Sequence, residues 1–117
     1  MNYTIEKLTT LIGARRYGDS DASIGFILTD SRSLCFPEET LFFALKSDRN
    51  DGHNYIPELY RRGVRNFVVS EVPMGWASDY PEANFLKVVN TLEALQRLAE
   101  RHRDEFNIPI VGITGSN

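Results

Sequence analysis

The sequence predicts an α/β fold, with a small, mainly parallel or mixed sheet flanked by helices. Short apolar segments of strand length alternate along the chain with segments whose apolar residues recur at helical spacing. The apolar segments are continuous rather than alternating, so both faces of their sheet should be covered, as in parallel sheets. With 117 residues, of which 42% are hydrophobic and 25% charged, the chain can build one such core.

The first half of the chain contains one predicted helix and two predicted strands. Thr4 can cap a short helix that Gly13 would end, because apolar residues recur at helical spacing between them. Residues 25–29 form the first strand. Residues 40–45 form the second strand, which should be buried on both faces and is followed by a wholly polar loop at 46–52.

The next segment contains a predicted helix, a strand and a long loop. The helix covers residues 54–62, with Pro57 tolerated in its first turn and Gly63 as its C-terminal cap. Residues 66–69 form the third buried strand. Residues 71–82 contain two prolines and the only tryptophan, and we expect a surface loop that the tryptophan anchors.

A fourth strand and a long helix complete the predicted domain. The strand covers residues 84–89 and the helix residues 91–106. Asn90 can cap this helix, and Glu93, three residues later, can close a capping box. The predicted apolar face of the helix consists of Leu92, Leu95, Leu98, Ala99 and Phe106.

Composition excludes several classes of partner and site. The net charge of −3, from 13 basic and 16 acidic residues, gives no electrostatic reason to expect DNA, RNA or an anionic membrane as a partner. The only cysteine, Cys35, fits a reducing compartment, and with two histidines besides it no metal site is expected. No signal peptide and no apolar run of membrane-spanning length is found, so a cytoplasmic location is expected.

Two polar loops locate a candidate binding site. Ligands of open α/β sheets lie beyond the carboxyl ends of the strands, where the loops at 29–32 and 46–53 follow two buried strands. Basic side chains in these loops can offset phosphate charge, and neutral or acidic ones can pair with a base edge or ribose hydroxyls. The alternative is that these turns are simply polar. The basic candidates are Arg32, Lys46 and Arg49, and the others are Ser31, Asp48 and Asn50.

The end of the sequence contains the first half of a possible phosphate-binding loop. Residues 108–113 predict a buried strand that leads directly into Thr114, Gly115, Ser116 and Asn117. In a P-loop, a strand is followed by a glycine-rich turn whose backbone N–H groups hold phosphate oxygens, and then by Gly-Lys-Ser/Thr. A strand followed by a glycine turn is also common in α/β proteins that bind no nucleotide.

Taken together, these segments resemble the Mur ligases, the ATP-dependent amide-forming enzymes of peptidoglycan precursor synthesis. The matching segments are Asp30-Ser-Arg32, Leu41-Phe-Phe-Ala-Leu45, Asp51-Gly-His53, Gly63-Val-Arg-Asn-Phe-Val-Val69 and the six residues from Gly112 to Asn117. They occur in the family's order and spacing over nearly the whole chain. The family usually has Pro-Gly where this chain has Glu38 after Pro37, and glycine at the position of Ser47.

The resemblance implies a division of the chain and a set of contacts. Residues 1–107 would be the N-terminal domain that binds the UDP end of a UDP-N-acetylmuramoyl-peptide. Residues 108–117 would be the first strand and truncated P-loop of the central, ATP-binding domain. Uridine contacts fall on Thr29, Ser31 and residues 48–50, and ATP phosphate contacts on Thr114, Gly115, Ser116 and Asn117.

The resemblance also implies partners and an activity. ATP and Mg²⁺ would be bound by the full-length parent, together with its remaining domains in cis, and the 117 residues alone should be inactive. The motifs look most like those of the member that adds D-alanyl-D-alanine to the tripeptide precursor, of which some are fused to an alanine racemase. The alternatives are the member that adds the third residue, meso-diaminopimelate or lysine, and a stand-alone, non-catalytic nucleotide-binding module.

Overall fold

The computed structural model describes residues 3–105 and 110–111. For residues 102–105 and 110–111 it describes the backbone only. The strands are β1 (Tyr3–Thr4), β2 (Arg15–Tyr17), β3 (Ser23–Ile24), β4 (Phe26–Leu28), β5 (Thr40–Phe43), β6 (Asn66–Val69), β7 (Asn84–Lys87) and β8 (Ile110–Val111). The α-helices are α1 (Ile5–Leu11), α2 (Ile56–Arg61), α3 (Trp76–Asp79) and α4 (Thr91–Glu105). Short 3₁₀ turns occur at Ser31–Ser33, Pro37–Glu39 and Gly52–Tyr55.

Among the described residues, the main sheet has six strands in the order β2-β7-β6-β5-β4-β8. The strands from β7 to β8 in that order pair in parallel, and β2 is antiparallel to β7 at the other edge. Strands β1 and β3 form a separate antiparallel pair. The prediction of a mainly parallel or mixed sheet is therefore confirmed.

The sheet is covered on both faces, which accounts for the continuous apolar runs of its central strands. On one face, α1 and α4 pack through residues such as Leu8 and Leu98 against Phe43 of β5. On the other face, α2 packs through Leu59 against a cluster that includes Phe67. Successive strand residues alternate between these two clusters, so no position in the middle of β5 or β6 faces water.

The helix caps follow the sequence prediction. The Thr4 side chain accepts a hydrogen bond from the backbone N–H of Lys7 at 3.1 Å, at the start of α1. The Asn90 side chain accepts one from the backbone N–H of Glu93 at 2.9 Å, at the start of α4. Each bond satisfies a backbone donor that the first turn of a helix leaves without a partner inside the helix.

Two predictions of local structure were wrong. The segment 71–82 is not a loop throughout, because it contains α3. The Trp76 ring at the start of this helix packs edge-on against Phe85, with centroids 6.2 Å apart.

The second concerns the buried face of α4. Leu92 does not belong to it, since half of its surface is exposed, whereas Ala94 is buried there with Leu95 and Leu98. In the first turn of α4 the buried position is Thr91, one residue before the predicted Leu92.

The predicted strand at 108–113 lies only partly within the described residues. Ile110 and Val111 pair in parallel with Ile27 and Leu28 of β4, at the edge of the main sheet. These two residues thus extend the sheet at an available edge. Phe106 and residues 112–117, with the proposed phosphate loop, lie outside the described residues, and the boundary after residue 107 stays a prediction. In the described part of the chain, no helix has the length and apolar character needed to cross a membrane.

Candidate functional site

A cleft of about 600 Å³ lies at the carboxyl ends of β4 and β5, where the two polar loops meet. Its walls contain five of the seven residues predicted to bind UDP: Thr29, Ser31, Arg32, Lys46 and Asn50. The remaining lining residues are Asp30, Leu45, Ser47, Gly52, Tyr55 and Leu92. This is the position at which open α/β sheets bind their ligands.

The first wall of the cleft is the turn after β4, which Asp30 organises. Asp30 Oδ1 accepts hydrogen bonds from the backbone N–H of Arg32 at 2.9 Å and from its Nε at 3.0 Å, while Oδ2 accepts one from Nη2 at 2.8 Å. These bonds from Arg32 lower the pKa of Asp30 to about 2, and the same pairing raises the pKa of Arg32. Arg62, just after α2, donates from Nη1 to the Ser31 carbonyl oxygen at 3.1 Å, which joins the turn to the neighbouring helix.

The second wall is the loop after β5, which folds back on itself. The Ser47 N–H donates to the Asn50 carbonyl oxygen at 2.7 Å, and Lys46 and Asp51 form an antiparallel bridge. The Gly52 N–H then donates to the Leu45 carbonyl oxygen at 2.7 Å. A Cβ atom on Gly52 would lie 2.8 Å from the Leu45 backbone nitrogen, so this close approach requires glycine.

His53 connects the second loop to the end of β6. Its Nε2 accepts a hydrogen bond from the backbone N–H of Ser70 at 3.1 Å, and its Nδ1 lies 2.6 Å from Asp51 Oδ1. With Nε2 as acceptor, the proton of the neutral ring lies on Nδ1 and is donated to Asp51. Burial opposes ionisation of Asp51, but the hydrogen bonds from His53 outweigh it and lower the pKa of that carboxyl. Through these contacts His53 orders the second loop against the end of β6.

The other predicted contact residues are not in the cleft wall. Asp48 and Arg49 lie at the exposed tip of the second loop. Their assignment to the ligand stays a prediction. The four ATP phosphate candidates, Thr114, Gly115, Ser116 and Asn117, lie outside the described residues. Within the ranges that the structure describes, no group of three or more His, Cys, Asp or Glu side chains is placed to hold a metal ion.

The cleft also has an apolar part, which no pattern in the sequence indicated. Leu45, Tyr55 and Leu92 line it, although they come from the end of β5, the turn before α2 and the start of α4. Thr91 explains the position of Leu92, because its buried hydroxyl donates to the Ala44 carbonyl oxygen at 3.0 Å and fixes the start of α4 beside β5.

The cleft therefore combines apolar surface with hydroxyl, amide and cationic groups. The Tyr55 hydroxyl donates to Asn50 Oδ1 at 3.0 Å, so these two side chains form one unit of the wall. The Lys46 ammonium forms no ion pair with any of the residues described. Such a wall can hold a flat ring with polar edges next to an anionic group.

The comparisons with known protein families agree on one family. A model of the Mur ligase family, catalytic domain, matches residues 23–103. A UDP-N-acetylmuramoyl-tripeptide–D-alanyl-D-alanine ligase of Synechocystis sp. is 40% identical over 96 residues, which cover 82% of this chain and 20% of that protein. The enzyme of the same name from Bacillus subtilis is 34% identical over 93 residues, or 78% of this chain and 19% of that protein.

A ligase with a different name and two solved structures are also similar. UDP-N-acetylmuramoyl-L-alanyl-D-glutamate–2,6-diaminopimelate ligase 1 of Clostridium acetobutylicum is 28% identical and covers 95% of this chain and 23% of its own. Crystal structure I of MurF from Acinetobacter baumannii has a TM-score of 0.73 at 27% identity, and a second structure of the ligase from that organism has a TM-score of 0.75 at 26% identity. Both matches cover 90% of this chain and 22% of the solved chain. The chain thus spans about a fifth of the length of the relatives it matches.

Proposed function

This chain belongs to the Mur ligase family, and from that premise we propose that it holds the UDP end of a UDP-N-acetylmuramoyl-peptide for an ATP-dependent ligase of peptidoglycan synthesis. The complete enzyme would add D-alanyl-D-alanine to the tripeptide precursor. Its remaining domains would lie in cis, in the cytoplasm, and would bind ATP and Mg²⁺. None of the described residues is assigned to the binding of ATP or of Mg²⁺.

The observation that carries this proposal is the meeting of two polar loops in one cleft. Residues 29–32 and 46–50 are separated along the sequence, yet five of the seven proposed contact residues line the same cavity at the carboxyl ends of adjacent strands. A volume of about 600 Å³ is within the range of small-molecule sites, about 300–1,000 Å³. The parallel pairing of β4 and β5 brings the two loops together, and the cavity between them gives their polar groups a common place to contact one ligand.

The charges around the cleft support binding of a diphosphate. Lys46 offers an ammonium group that the described residues leave without an ion pair. Arg32 uses Nε and Nη2 in its bonds to Asp30, and its side chain is 88% exposed, so Nη1 can donate to a phosphate oxygen. The hydroxyl of Ser31 and the amide of Asn50 supply neutral hydrogen-bonding groups for the ribose or the base.

The choice of D-alanyl-D-alanine as the added group depends on the relatives. The chain is 40% and 34% identical to two ligases named for that substrate, against 28% for the diaminopimelate ligase of Clostridium acetobutylicum. The diaminopimelate-adding reaction is the second candidate, because that relative matches over 95% of this chain. The precursor is the same up to the dipeptide, so both reactions need the same UDP-binding cleft.

Binding can be tested on the 117-residue chain by NMR titration of the ¹⁵N-labelled protein with UDP and UMP. We expect shifts of the backbone amides of Ser31, Lys46 and Asn50, with UDP binding more tightly because it adds a phosphate for Lys46. The amides of α3, which do not line the cleft, serve as an internal control. Shifts confined to another surface, or no saturable shift with UDP, would refute the proposed site.

The reaction can be tested with the product of the complete reading frame that contains this chain. Phosphate release from ATP should require UDP-N-acetylmuramoyl-tripeptide and D-alanyl-D-alanine together. Turnover with UDP-N-acetylmuramoyl-dipeptide and meso-diaminopimelate or lysine would instead identify the second candidate. UDP binding without turnover in any combination would favour a non-catalytic binding module.

A further inference from the structure

Asn50 is fixed in the cleft wall at both its backbone and its side chain. Its carbonyl oxygen accepts hydrogen bonds from the Ser47 N–H at 2.7 Å and from the Ser47 hydroxyl at 3.3 Å. Its side-chain Oδ1 accepts a hydrogen bond from the Tyr55 hydroxyl at 3.0 Å. Tyr55 is itself half-buried, with its ring packed against the core cluster that contains Leu59 of α2. The amide therefore has one preferred orientation.

This orientation determines which hydrogen-bonding group Asn50 presents. A primary amide can offer either its oxygen or its nitrogen to a ligand, depending on rotation about its last side-chain bond. In the structure Oδ1 is the amide atom that faces the Tyr55 hydroxyl and accepts its hydrogen bond, which leaves Nδ2 and its two hydrogens for the ligand. The cleft then presents a donor at this point rather than an acceptor.

We propose that Tyr55 is a positioning residue that gives the cleft its preference for uracil over cytosine by holding the Asn50 amide with its NH₂ group toward the base. At position 4 of the ring uracil has a carbonyl oxygen, which accepts from that NH₂ group, and cytosine has an amino group, which would meet it as donor against donor. Discrimination then comes from an unfavourable contact with cytosine as well as a favourable one with uracil. This inference depends on the proposed function.

The apolar lining residues support placing the base next to Asn50. A pyrimidine has two apolar faces and a polar edge, so its site needs apolar surface beside a hydrogen-bonding group. Leu45, Leu92 and the Tyr55 ring provide that surface in the same cleft, and the Tyr55 hydroxyl brings its ring next to the Asn50 amide. Lys46, four residues before Asn50 in the same loop, remains available for the diphosphate.

The test is calorimetric or NMR titration of the chain with UDP and with CDP, which differ only in the base. The wild-type chain should prefer UDP about tenfold or more, the effect of opposed rather than paired donors. In Tyr55→Phe the amide can rotate, so UDP affinity should fall about three- to tenfold and the preference for UDP should shrink to about threefold or less. A thermal melt checks that the variant folds.

Tyr60→Phe is the matched control, since Tyr60 belongs to α2 but does not line the cleft, and its ring packs against Tyr80 with centroids 5.0 Å apart. It should leave both affinities unchanged. Asn50→Ala should lose the same preference as Tyr55→Phe, and the double variant should lose no more, because Tyr55 acts through Asn50. Asn50→Ala removes only an exposed side chain, so it keeps the test of the base preference informative if Tyr55→Phe is poorly folded.

The failure of the inference and the failure of the proposed function are distinguishable. If the wild-type chain binds UDP but Tyr55→Phe retains the full preference over CDP, the inference is wrong and the proposed function stands. Additive losses in the double variant would also contradict it, since they would mean that the two residues act independently. A wild-type chain that does not bind UDP would refute the proposed function, and the inference with it.

Discussion

The ring of His53 accepts a hydrogen bond from the backbone N–H of Ser70 at 3.1 Å, and so joins the loop after β5 to the carboxyl end of β6. On its other side the ring contacts Asp51, the residue that closes the loop against Lys46. The cleft wall is therefore supported by the neighbouring strand and not by the loop alone. Such support holds polar side chains in place before a ligand arrives, which reduces the entropy lost on binding.

His53→Ala should reduce both stability and ligand affinity. The variant leaves the Ser70 N–H and the Asp51 carboxylate without their partner, and loss of a half-buried hydrogen-bonding group costs about 1–3 kcal/mol. Urea denaturation measures the stability, and UDP titration measures the affinity. His53→Gln, which retains an acceptor for Ser70, should lose less of each. Equal behaviour of the two variants and the wild-type chain would show that His53 does not order the loop.

Gly52→Ala should destabilise the fold by about 1–3 kcal/mol and weaken UDP binding. The new Cβ would lie 2.8 Å from the Leu45 nitrogen and 2.9 Å from the Ala44 Cα, and both are backbone atoms that cannot move aside cheaply. Gly75→Ala is the control, since its Cβ would meet nothing closer than 3.5 Å and only its φ of +74° is unfavourable. The control should lose stability by about 1–2 kcal/mol and keep its affinity for UDP. If Gly52→Ala binds UDP as tightly as the wild-type chain, the close backbone approach at this glycine is not needed for UDP binding.

The main strands and helix caps could be predicted because local sequence determines them. Residues 66–69 are continuously apolar except for Asn66, and the predicted strand matches β6 residue for residue. The cap of α4 at Asn90 was predicted from the capping box alone. Strands β1 to β3 were not predicted, since they have two or three residues each and exist through their pairing partners. Arg15–Tyr17 carries no apolar pattern that would indicate the edge strand β2.

The candidate site could be predicted only in part, for a related reason. The polar loops were visible in the sequence because each follows a buried strand, and the cleft contains Ser31 and Lys46 as expected. The contribution of Leu92 depends on how α4 docks, through the bond between Thr91 and Ala44, which are 47 residues apart. The pairing of Tyr55 with Asn50 depends on the path of the loop between them, which no local pattern specifies.

The pair of Asp30 and Arg32 should make the turn after β4 sensitive to acid. The pKa of Asp30 is about 2 in the folded chain, below its ordinary value of 3.8, so the carboxylate stabilises the fold above pH 4. That contribution should disappear as the pH falls from about 4 to about 2. Thermal melts from pH 7 to pH 2 should therefore show a smaller acid-induced decrease in Tm for Asp30→Asn than for the wild-type chain. Parallel Tm curves would mean that the pair contributes nothing to folding.

Lys46→Ala should weaken UDP binding about tenfold, because a charge-assisted hydrogen bond to phosphate contributes about 1.5–3 kcal/mol. Arg49→Ala is expected to have an effect of similar size, although Arg49 lies at the exposed tip of the loop and would have to reach over the bound diphosphate. Ser31→Ala should cost less, about 1 kcal/mol, as for one neutral hydrogen bond. Calorimetry with UDP, with a thermal melt of each variant, measures all three. A loss in Lys46→Ala with full affinity in Arg49→Ala would confine the phosphate contacts to the cleft wall.

Thr91→Val should loosen the start of α4 and, with it, the apolar side of the cleft. The Thr91 hydroxyl is buried and donates to the Ala44 carbonyl oxygen at 3.0 Å, and valine has the same shape without the donor. Removal of that donor should cost about 1–3 kcal/mol of stability, measured by urea denaturation. Since Leu92 follows directly and lines the cleft, UDP affinity should fall as well, whereas Thr91→Ser, which keeps the hydroxyl, should retain most of it. If Thr91→Val loses stability but binds UDP as tightly as Thr91→Ser, the docking of α4 supports the fold without shaping the site.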